Sequence, residues 1–373
     1  MTTVYLIRHG ESEGNLFRIC QGWDEELLSV TGRAQAQALG KRFRLLPITA
    51  VYTSDLCRCA ATALPIAKPH HLKLISAPEM REIRLGALEG LSWGEVYHRV
   101  PALRTQPVQD IPIPNGETNQ EVAARVLPFM DRVARKHDGE SICVVSHGGA
   151  IGVFLSHTFP DKKLDLAGNT SVTTLHYENG IWTLAHAPET DHLTKAGIPV
   201  KPLFGKNILD LRFEDVDYER DGELVSQFGR DAWLAVFGSL NGYRGDLFCE
   251  NARRMSKVPQ MASLCLDGDK IAGILLLDPH QGEPDFGHIS LVYLNPEYRY
   301  RGLGFQLIGH ATVVYRKLGR KFLRLHVDHR NKSAIHFYQK CGFRFSGLPY
   351  SPSGQLTMKK NIEIPQFSFQ LPD

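Results

Sequence analysis

The chain has 373 residues, 43% of them hydrophobic, and its 43 lysines and arginines against 40 aspartates and glutamates leave a formal net charge of only +3. That length suits two or three cores of about 100–200 residues each, and so balanced a charge gives no electrostatic reason to expect a nucleic-acid or membrane partner. No run approaches the ~20 apolar residues of a membrane span, and the N-terminus lacks the basic and long apolar regions of a signal peptide, so a cytoplasmic enzyme is the expectation. The 7 cysteines form no repeating pattern. Cys57-x-Cys59 has no second pair to complete a zinc site, and Cys143, Cys265 and Cys341 sit in apolar contexts, so all read as reduced structural residues.

In chain order, Val4 to Ile7 is an apolar strand that ends in Arg8-His9-Gly10-Glu11. A helix is predicted over Thr31 to Leu45, because Ala34, Ala38, Leu39 and Phe43 recur at three- and four-residue steps after a cap at Thr31. A strand at Ala50 to Thr53 ends in Ser54-Asp55-Leu56-Cys57-Arg58, and one at Ser141 to Ser146 ends in His147-Gly148-Gly149. The alternation of strands and helices predicts α/β with a mainly parallel sheet. Open α/β sheets bind ligands at the carboxyl edge of their strands, so the strand ends deliver an Arg-His, an Arg and a His to one place.

That set suits phosphoryl transfer through a phosphohistidine. An imidazole attacks phosphorus only when neutral, and neighbouring guanidinium groups both disfavour its protonated form and neutralise the phosphoryl oxygens. The leaving alcohol then needs a proton, and the attacking water needs a base. One carboxyl group can alternate between the roles if the phosphate's charge raises its pKa, and Glu82, in Arg81-Glu82-Ile83-Arg84, is the candidate. No His-Glu-x-x-His or comparable ligand spacing is present and two arginines would repel a cation, so no metal is expected.

Breakers stack from Ala187-Pro188 through Gly197-Ile198-Pro199 to Lys201-Pro202 with no periodicity. The domain reading is therefore 1–190, a linker at 191–207, a second domain at 208–362 and a tail at 363–373. A strand at Ile208 to Phe213 precedes helices at Glu219 to Phe237 and Gly245 to Lys257. Strands Ala262 to Leu266 and Ile271 to Leu277 flank Asp267-Gly268-Asp269-Lys270, a hairpin signal. A third strand, Ile289 to Leu294, runs into Arg299-Tyr300-Arg301-Gly302-Leu303-Gly304 and a helix to Leu318. The strand Phe322 to Val327 and the helix Asn331 to Lys340 follow, closed by Cys341-Gly342-Phe343. Backbone N–H groups of 299–304, aimed at the start of a helix, would cradle a pyrophosphate.

The first half resembles the histidine phosphatase superfamily, the phosphoglycerate mutase-like proteins. The likeness rests on Arg8-His9-Gly10-Glu11-Ser12 with Asn15, Gln21-Gly22, Leu28-Ser29, Gly32-Arg33, Ser54-Asp55-Leu56 with Arg58, Thr62-Ala63, Arg81-Glu82, Glu89-Gly90, Asn115-Gly116-Glu117 and Ser146-His147-Gly148. The resemblance implies a three-layer α/β/α domain, a phosphohistidine at His9, a phosphate held by Arg8, Asn15, Arg58 and His147, and Glu82 as general acid. Mutases of this kind carry a longer lid between the acid and the second histidine. The segment from 82 to 147 is short, so hydrolysis of a small phosphomonoester is expected, with phosphoglycerate mutase-type phosphotransfer as the alternative. Specificity would come from Gln21 to Asp24 and Trp93 to Pro114.

Residues 208–346 resemble the GNAT acyltransferase superfamily, on Asn295-Pro296-Glu297-Tyr298, the loop Arg299 to Gly304, and Asn331-Lys332-Ser333-Ala334-Ile335-His336-Phe337-Tyr338. This implies an α/β domain with a mixed sheet and acetyl-CoA as co-substrate, bound by Leu294, Arg299, Arg301, Gly302, Leu303, Gly304 and Asn331. It further implies an amine acceptor, with Tyr338 protonating the departing thiolate. His288 is the candidate base for its near-neutral intrinsic pKa, with Glu283 and Asp285 as alternatives. The chain thus reads as bifunctional. The alternative is a second domain that only binds acyl-CoA and regulates the phosphatase.

Overall fold

The protein, described by a computed structural model over residues 1–106, 111–162, 164, 168–200, 209–279, 283–347 and 355–370, is built on two sheets. In the first half the elements are β1 (Thr2–Arg8), α1 (Glu13–Phe17), α2 (Val30–Phe43), β2 (Ile48–Thr53), α3 (Cys57–Ala67), β3 (Leu74–Ser76), α4 (Trp93–Arg99), α5 (Asn119–Lys136), β4 (Ser141–Ser146), α6 (Gly148–Thr158), β5 (Val172–Glu178), β6 (Ile181–Glu189) and α7 (Asp191–Lys195). Their strands lie in the order β3-β2-β4-β1-β5-β6. The first four are parallel, and β5 and β6 are antiparallel additions on one edge. The sheet is mainly parallel, as expected. Both its faces are covered: one core gathers Val4, Leu6, Val126, Phe129, Val144 and Phe154, the other Ile7, Leu39, Phe43, Val51, Ile66 and Val145. Side chains on alternating faces of each strand account for the split.

The expected helix at Thr31 to Leu45 begins one residue earlier. Its cap is Ser29, whose hydroxyl accepts from Gly32 N at 2.9 Å, and not Thr31. Within the expected linker, α7 forms and packs on α2, while 201–207 and the start of the expected strand at Ile208 lie outside the described residues.

The second half contains β7 (Arg212–Asp215), α8 (Tyr218–Phe237), α9 (Gly245–Ser256), β8 (Ala262–Asp267), β9 (Lys270–Asp278), β10 (Phe286–Leu294), α10 (Gly304–Lys317), β11 (Phe322–Val327), α11 (Lys332–Lys340), β12 (Arg344–Phe345) and β13 (Leu356–Asn361). The order is β12-β13-β11-β10-β9-β8-β7, with β10 and β11 the one parallel pair among these strands. The sheet is mixed, as expected. Asp267 pairs with Lys270 across the hairpin, and Gly268 supplies the positive φ of the turn at +58°. The parallel pairing of β10 with β11 stops at Ile289 and Leu325, beside a bulge between Ile289 and Leu291, so the two strands part toward their carboxyl ends.

The strand expected at Ile208 to Phe213 is displaced to Arg212–Asp215. The N–H of Leu211 donates to the side chain of Gln306 at 2.7 Å and its carbonyl accepts from the Ser92 hydroxyl at 2.8 Å, so neither is available to a ladder. The chain end returns to the first sheet: Gln370 bridges Ile75 at the β3 edge, and Phe367 and Phe369 pack against the core there. No helix among the described residues is long and apolar enough to cross a membrane.

Candidate functional site

All four parallel strands of the first sheet release a chemically active segment at the same edge. β1 ends in Arg8 and His9, β2 leads to Ser54 and to Arg58 in the first turn of α3, β4 leads to His147 at the cap of α6, and the chain beyond β3 carries Glu82. The rings of His9 and His147 are 5.2 Å apart, edge to face. Both are buried, as are Arg8 and Arg58. Arg58 Nε donates to His147 Nδ1 at 3.2 Å, and its two other nitrogens donate to the carbonyls of Asp24 and Gly22 at 2.9 and 2.7 Å.

The protonation of both histidines follows. Burial, then the guanidinium groups of Arg58 and Arg8, hold His9 well below the ordinary imidazole range. The ring is therefore neutral, with one N–H, and Nδ1 lies 2.7 Å from the carbonyl oxygen of Gly10, which can only accept. The proton sits on Nδ1 and the lone pair on Nε2. His147 is also lowered, first by burial and then by Arg58. Its Nδ1 accepts from Arg58, so its Nε2 carries the proton toward Ser54 Oγ at 2.9 Å.

Glu82 lies close enough to Arg8 for their charges to interact. Its carboxylate accepts from the N–H groups of Gly149 and Ala150 at 3.3 and 3.2 Å, at the N-terminus of α6, where the helix dipole favours negative charge. Its carbonyl is fixed by Trp23 Nε1 at 2.7 Å and Arg125 Nη2 at 2.8 Å. Arg125 also donates to the carbonyls of Glu79 and Arg81 and pairs with Glu117. Asn15 stands one step back: its Oδ1 accepts from Ser12 N and from Asn169 Nδ2, each at 3.2 Å, and Asn169 Nδ2 also donates to the His9 carbonyl at 3.1 Å.

Sequence reasoning missed Arg125 and Asn169. Both act through backbone carbonyls, and neither lies in a motif. A cavity of about 240 Å³ adjoins Arg8 and Gly148, lined by Asn119, Ser156, Lys162 and Ser171 among others. Of the stretches expected to set specificity, Trp23 stacks under Arg81 and Arg84, Trp93 opens α4, and 107–110 lie outside the described residues. Among the described residues no three His, Cys, Asp or Glu side chains are grouped to hold a metal ion.

In the second domain, the loop after β10 turns through Tyr300 at φ +60° and Gly302 at φ +78° into α10. No side chain among the described residues caps α10 at Leu303, and the N–H groups of Phe305 and Gln306 donate to the carbonyls of Gly302 and Leu303 at 3.3 and 3.0 Å. A β-carbon on Gly302 would meet nothing within 4 Å among the described residues, leaving open space over that turn. Arg299 turns inward, donating from Nε to the Leu294 carbonyl at 2.8 Å with its guanidinium over Tyr293, while Arg301 lies over Tyr298. Asn331 caps α11 by accepting from Ala334 N at 3.1 Å.

Tyr338 packs its ring against Phe337 and Phe343, and burial raises its pKa. His288 is buried, 5.1 Å from the His326 ring, and its Nδ1 has no hydrogen-bond partner among the described residues. The near-neutral pKa that recommended it does not survive. Burial, then His326 and Arg324, lower it to about 4. Glu283 and Asp285 are exposed.

Residues 4–190 match the histidine phosphatase superfamily (branch 1), and residues 228–343 match the acetyltransferase (GNAT) family. The metal-independent phosphoserine phosphatase of Arabidopsis thaliana is 33% identical over 205 residues, covering 53% of this chain and 85% of that protein. The probable phosphoglycerate mutase GpmB of Proteus mirabilis (strain HI4320) is 31% identical over 207 residues, covering 52% of this chain and 96% of that protein. Among solved structures, Bacillus stearothermophilus YhfR aligns at 30% identity with a TM-score of 0.47, over 50% of this chain and 96% of its own. The chain belongs to the histidine phosphatase superfamily and carries a GNAT acetyltransferase domain behind that fold.

Proposed function

We propose that the first domain hydrolyses a small phosphomonoester through a phosphohistidine at His9. The observation that carries this reading is a neutral His9 with its lone pair on Nε2, beside two arginines, at the sheet edge where a carboxylate sits on a helix N-terminus close to Arg8. Nε2 attacks phosphorus as the ester P–O bond breaks, and the leaving oxygen takes the proton that Glu82 carries once the substrate's phosphate charge lies beside it. Arg8, Arg58, the amide of Asn15 and His147, whose Nε2–H leaves Ser54 for the anion, neutralise the phosphoryl oxygens. Glu82, now ionised, takes a proton from water, which attacks phosphorus, breaks the N–P bond and returns His9.

The cavity beside Arg8, with Lys162 and Asn119 in its wall, suits a small anionic alcohol such as a phosphorylated hydroxy acid or amino acid. One relative is named as a phosphatase and another as a probable mutase, and the two activities differ in what accepts the phosphoryl group. A panel including phosphoserine and 3-phosphoglycerate tests the reading. Phosphate release by the wild type and its loss in His9→Ala are expected. Production of 2-phosphoglycerate without phosphate release would replace hydrolysis with phosphotransfer.

We further propose that the second domain transfers an acetyl group from acetyl-CoA to an amine. The uncapped α10 N-terminus and the open turn at Gly302 fit a pyrophosphate. When bound, acetyl-CoA supplies the activated acyl carbon. Arg299, Arg301, Gly302, Leu303, Gly304, Leu294 and Asn331 would hold it, where β10 and β11 part. Tyr338, kept as the phenol by burial, donates its proton to the departing sulfur. His288, neutral at physiological pH, accepts the proton of the attacking amine. Thiol release on adding amines is the test. Saturable binding that changes phosphatase rate without turnover would favour a regulatory domain instead.

A further inference from the structure

The two domains touch through the helices that begin at their respective phosphate loops. α1 starts directly after Arg8-His9-Gly10-Glu11, with Ser12 as its cap, and α10 starts directly after Arg299 to Leu303. Phe17, at the end of α1, is 1% exposed and belongs, with Ile19, to the hydrophobic core of the second domain. It crosses α10 at Gly309, where any β-carbon would stand 2.5 Å from the Phe17 Cβ.

Farther along α10, Arg316 Nη1 lies 2.9 Å from Glu26 Oε2 and its Nη2 lies 3.6 Å from Glu13 Oε2. Lys360 of β13 pairs with Glu13 Oε1. Glu13, Glu26 and Lys360 are all buried. On the α1 side, Glu13 is the first helical residue. Ser12 and Asn15 cap each other across it, and Asn15 joins Asn169, which donates to the His9 carbonyl. Packed helices and buried ion pairs of this kind adopt discrete arrangements and do not deform freely.

We propose that occupancy of the loop 299–304 and occupancy of the phosphate site at Arg8 and His9 are energetically linked through α10 and α1, with Glu13, Arg316 and Lys360 as positioning residues. This rests on the reading of 299–304 as a CoA pyrophosphate site. A movement of the α10 N-terminus around the pyrophosphate tilts a helix whose far end carries Arg316. The shift passes to α1, and from there to Asn15, Asn169 and the His9 backbone. The phosphatase therefore responds to CoA or its thioesters.

The test uses the full chain, CoA, and orthovanadate as a mimic of the transferring phosphoryl group. CoA affinity is measured by calorimetry with and without saturating orthovanadate, and orthovanadate inhibition of aryl phosphate hydrolysis with and without saturating CoA. Linkage requires both constants to change by the same factor, expected at about fivefold or more. Gly309→Ala, whose methyl group must displace Phe17, brings that factor toward one while each ligand still binds alone. Glu13→Gln does the same without added volume and serves if Gly309→Ala fails to fold, whereas Lys360→Arg retains the factor. CoA binding with both affinities unchanged overturns the link alone. Absence of CoA binding overturns the loop reading and the link with it, and a factor unchanged in both weakening variants overturns the assigned route.

Discussion

The Nδ1–H of His9 points at the carbonyl oxygen of its neighbour Gly10, 2.7 Å away, and so turns the imidazole's lone pair to Nε2. Gly10 is itself held, because its N–H donates to Thr62 Oγ1 at 2.9 Å. The tautomer of His9 is therefore set by the backbone.

One expected outcome concerns that tautomer. In ¹⁵N NMR of the imidazole nitrogens, His9 should show a protonated Nδ1 and a bare Nε2 from about pH 7.5 down through pH 5.5, since burial and two guanidinium groups hold its pKa well below the model-peptide value near 6.5. A titration midpoint near 6.5 would contradict the geometry. His9→Ala should lower phosphate release by about 10³-fold or more while leaving acetyl transfer intact.

The carboxylate at the helix N-terminus gives a second outcome. At Gly149 a β-carbon would lie 2.4 Å from Glu82 Oε1 and 2.7 Å from Ile83 Cδ1. Gly149→Ala should thus push the acid out of its seat, lowering kcat by about 10²-fold, within the usual span for general acid–base catalysis. Glu82→Gln, which keeps the shape and removes the transferable proton, should fall at least as far. Equal kcat in wild type and both variants would remove Glu82 from the mechanism.

Much of this site could be read from sequence because parallel strands put their carboxyl ends in one place. Once Val4 to Ile7, Ala50 to Thr53 and Ser141 to Ser146 are strands, Arg8, His9, Arg58 and His147 must converge. What was hidden depends on partners far away in the chain. Arg125 and Asn169 grip carbonyls that no local pattern marks. The displaced start of β7 is decided by Gln306 and Ser92, which take the backbone of Leu211. The neutral state of His288 comes from burial and from Arg324 and His326, brought beside it by the β10 to β11 register. The return of Gln370 to Ile75 has no periodic signal at all.

For the proposed acetyl transfer, Tyr338→Phe removes the proposed proton donor but keeps the ring that packs on Phe337 and Phe343. Acetyl transfer should fall about 10²-fold in kcat, with CoA affinity and thermal stability close to wild type. Parallel loss of CoA binding would show that the phenol serves structure and not proton transfer.

The buried histidines contribute to the pH dependence of stability. Burial lowers His288 and His310 to about 4, and His9 and His147 are also well below the ordinary range. The unfolded chain binds protons at these positions below about pH 6.5, whereas the native state does not until the folded pKa is reached. Their contribution is therefore complete above about pH 6.5 and is lost as pH falls toward 4. Each group that stays neutral costs about 1.4 kcal/mol per pH unit once the unfolded chain is fully protonated there. Asp24, raised to about 6 by burial and Glu89, works in the opposite sense, so the net curve alone does not isolate the histidines. His310 does. It stacks on Phe213 at 4.2 Å inside the second core, away from both proposed sites. In urea unfolding between about pH 6 and pH 4.5, His310→Leu should flatten the slope by close to one proton. An unchanged slope would mean that the native protein already protonates His310 as readily as the unfolded chain does.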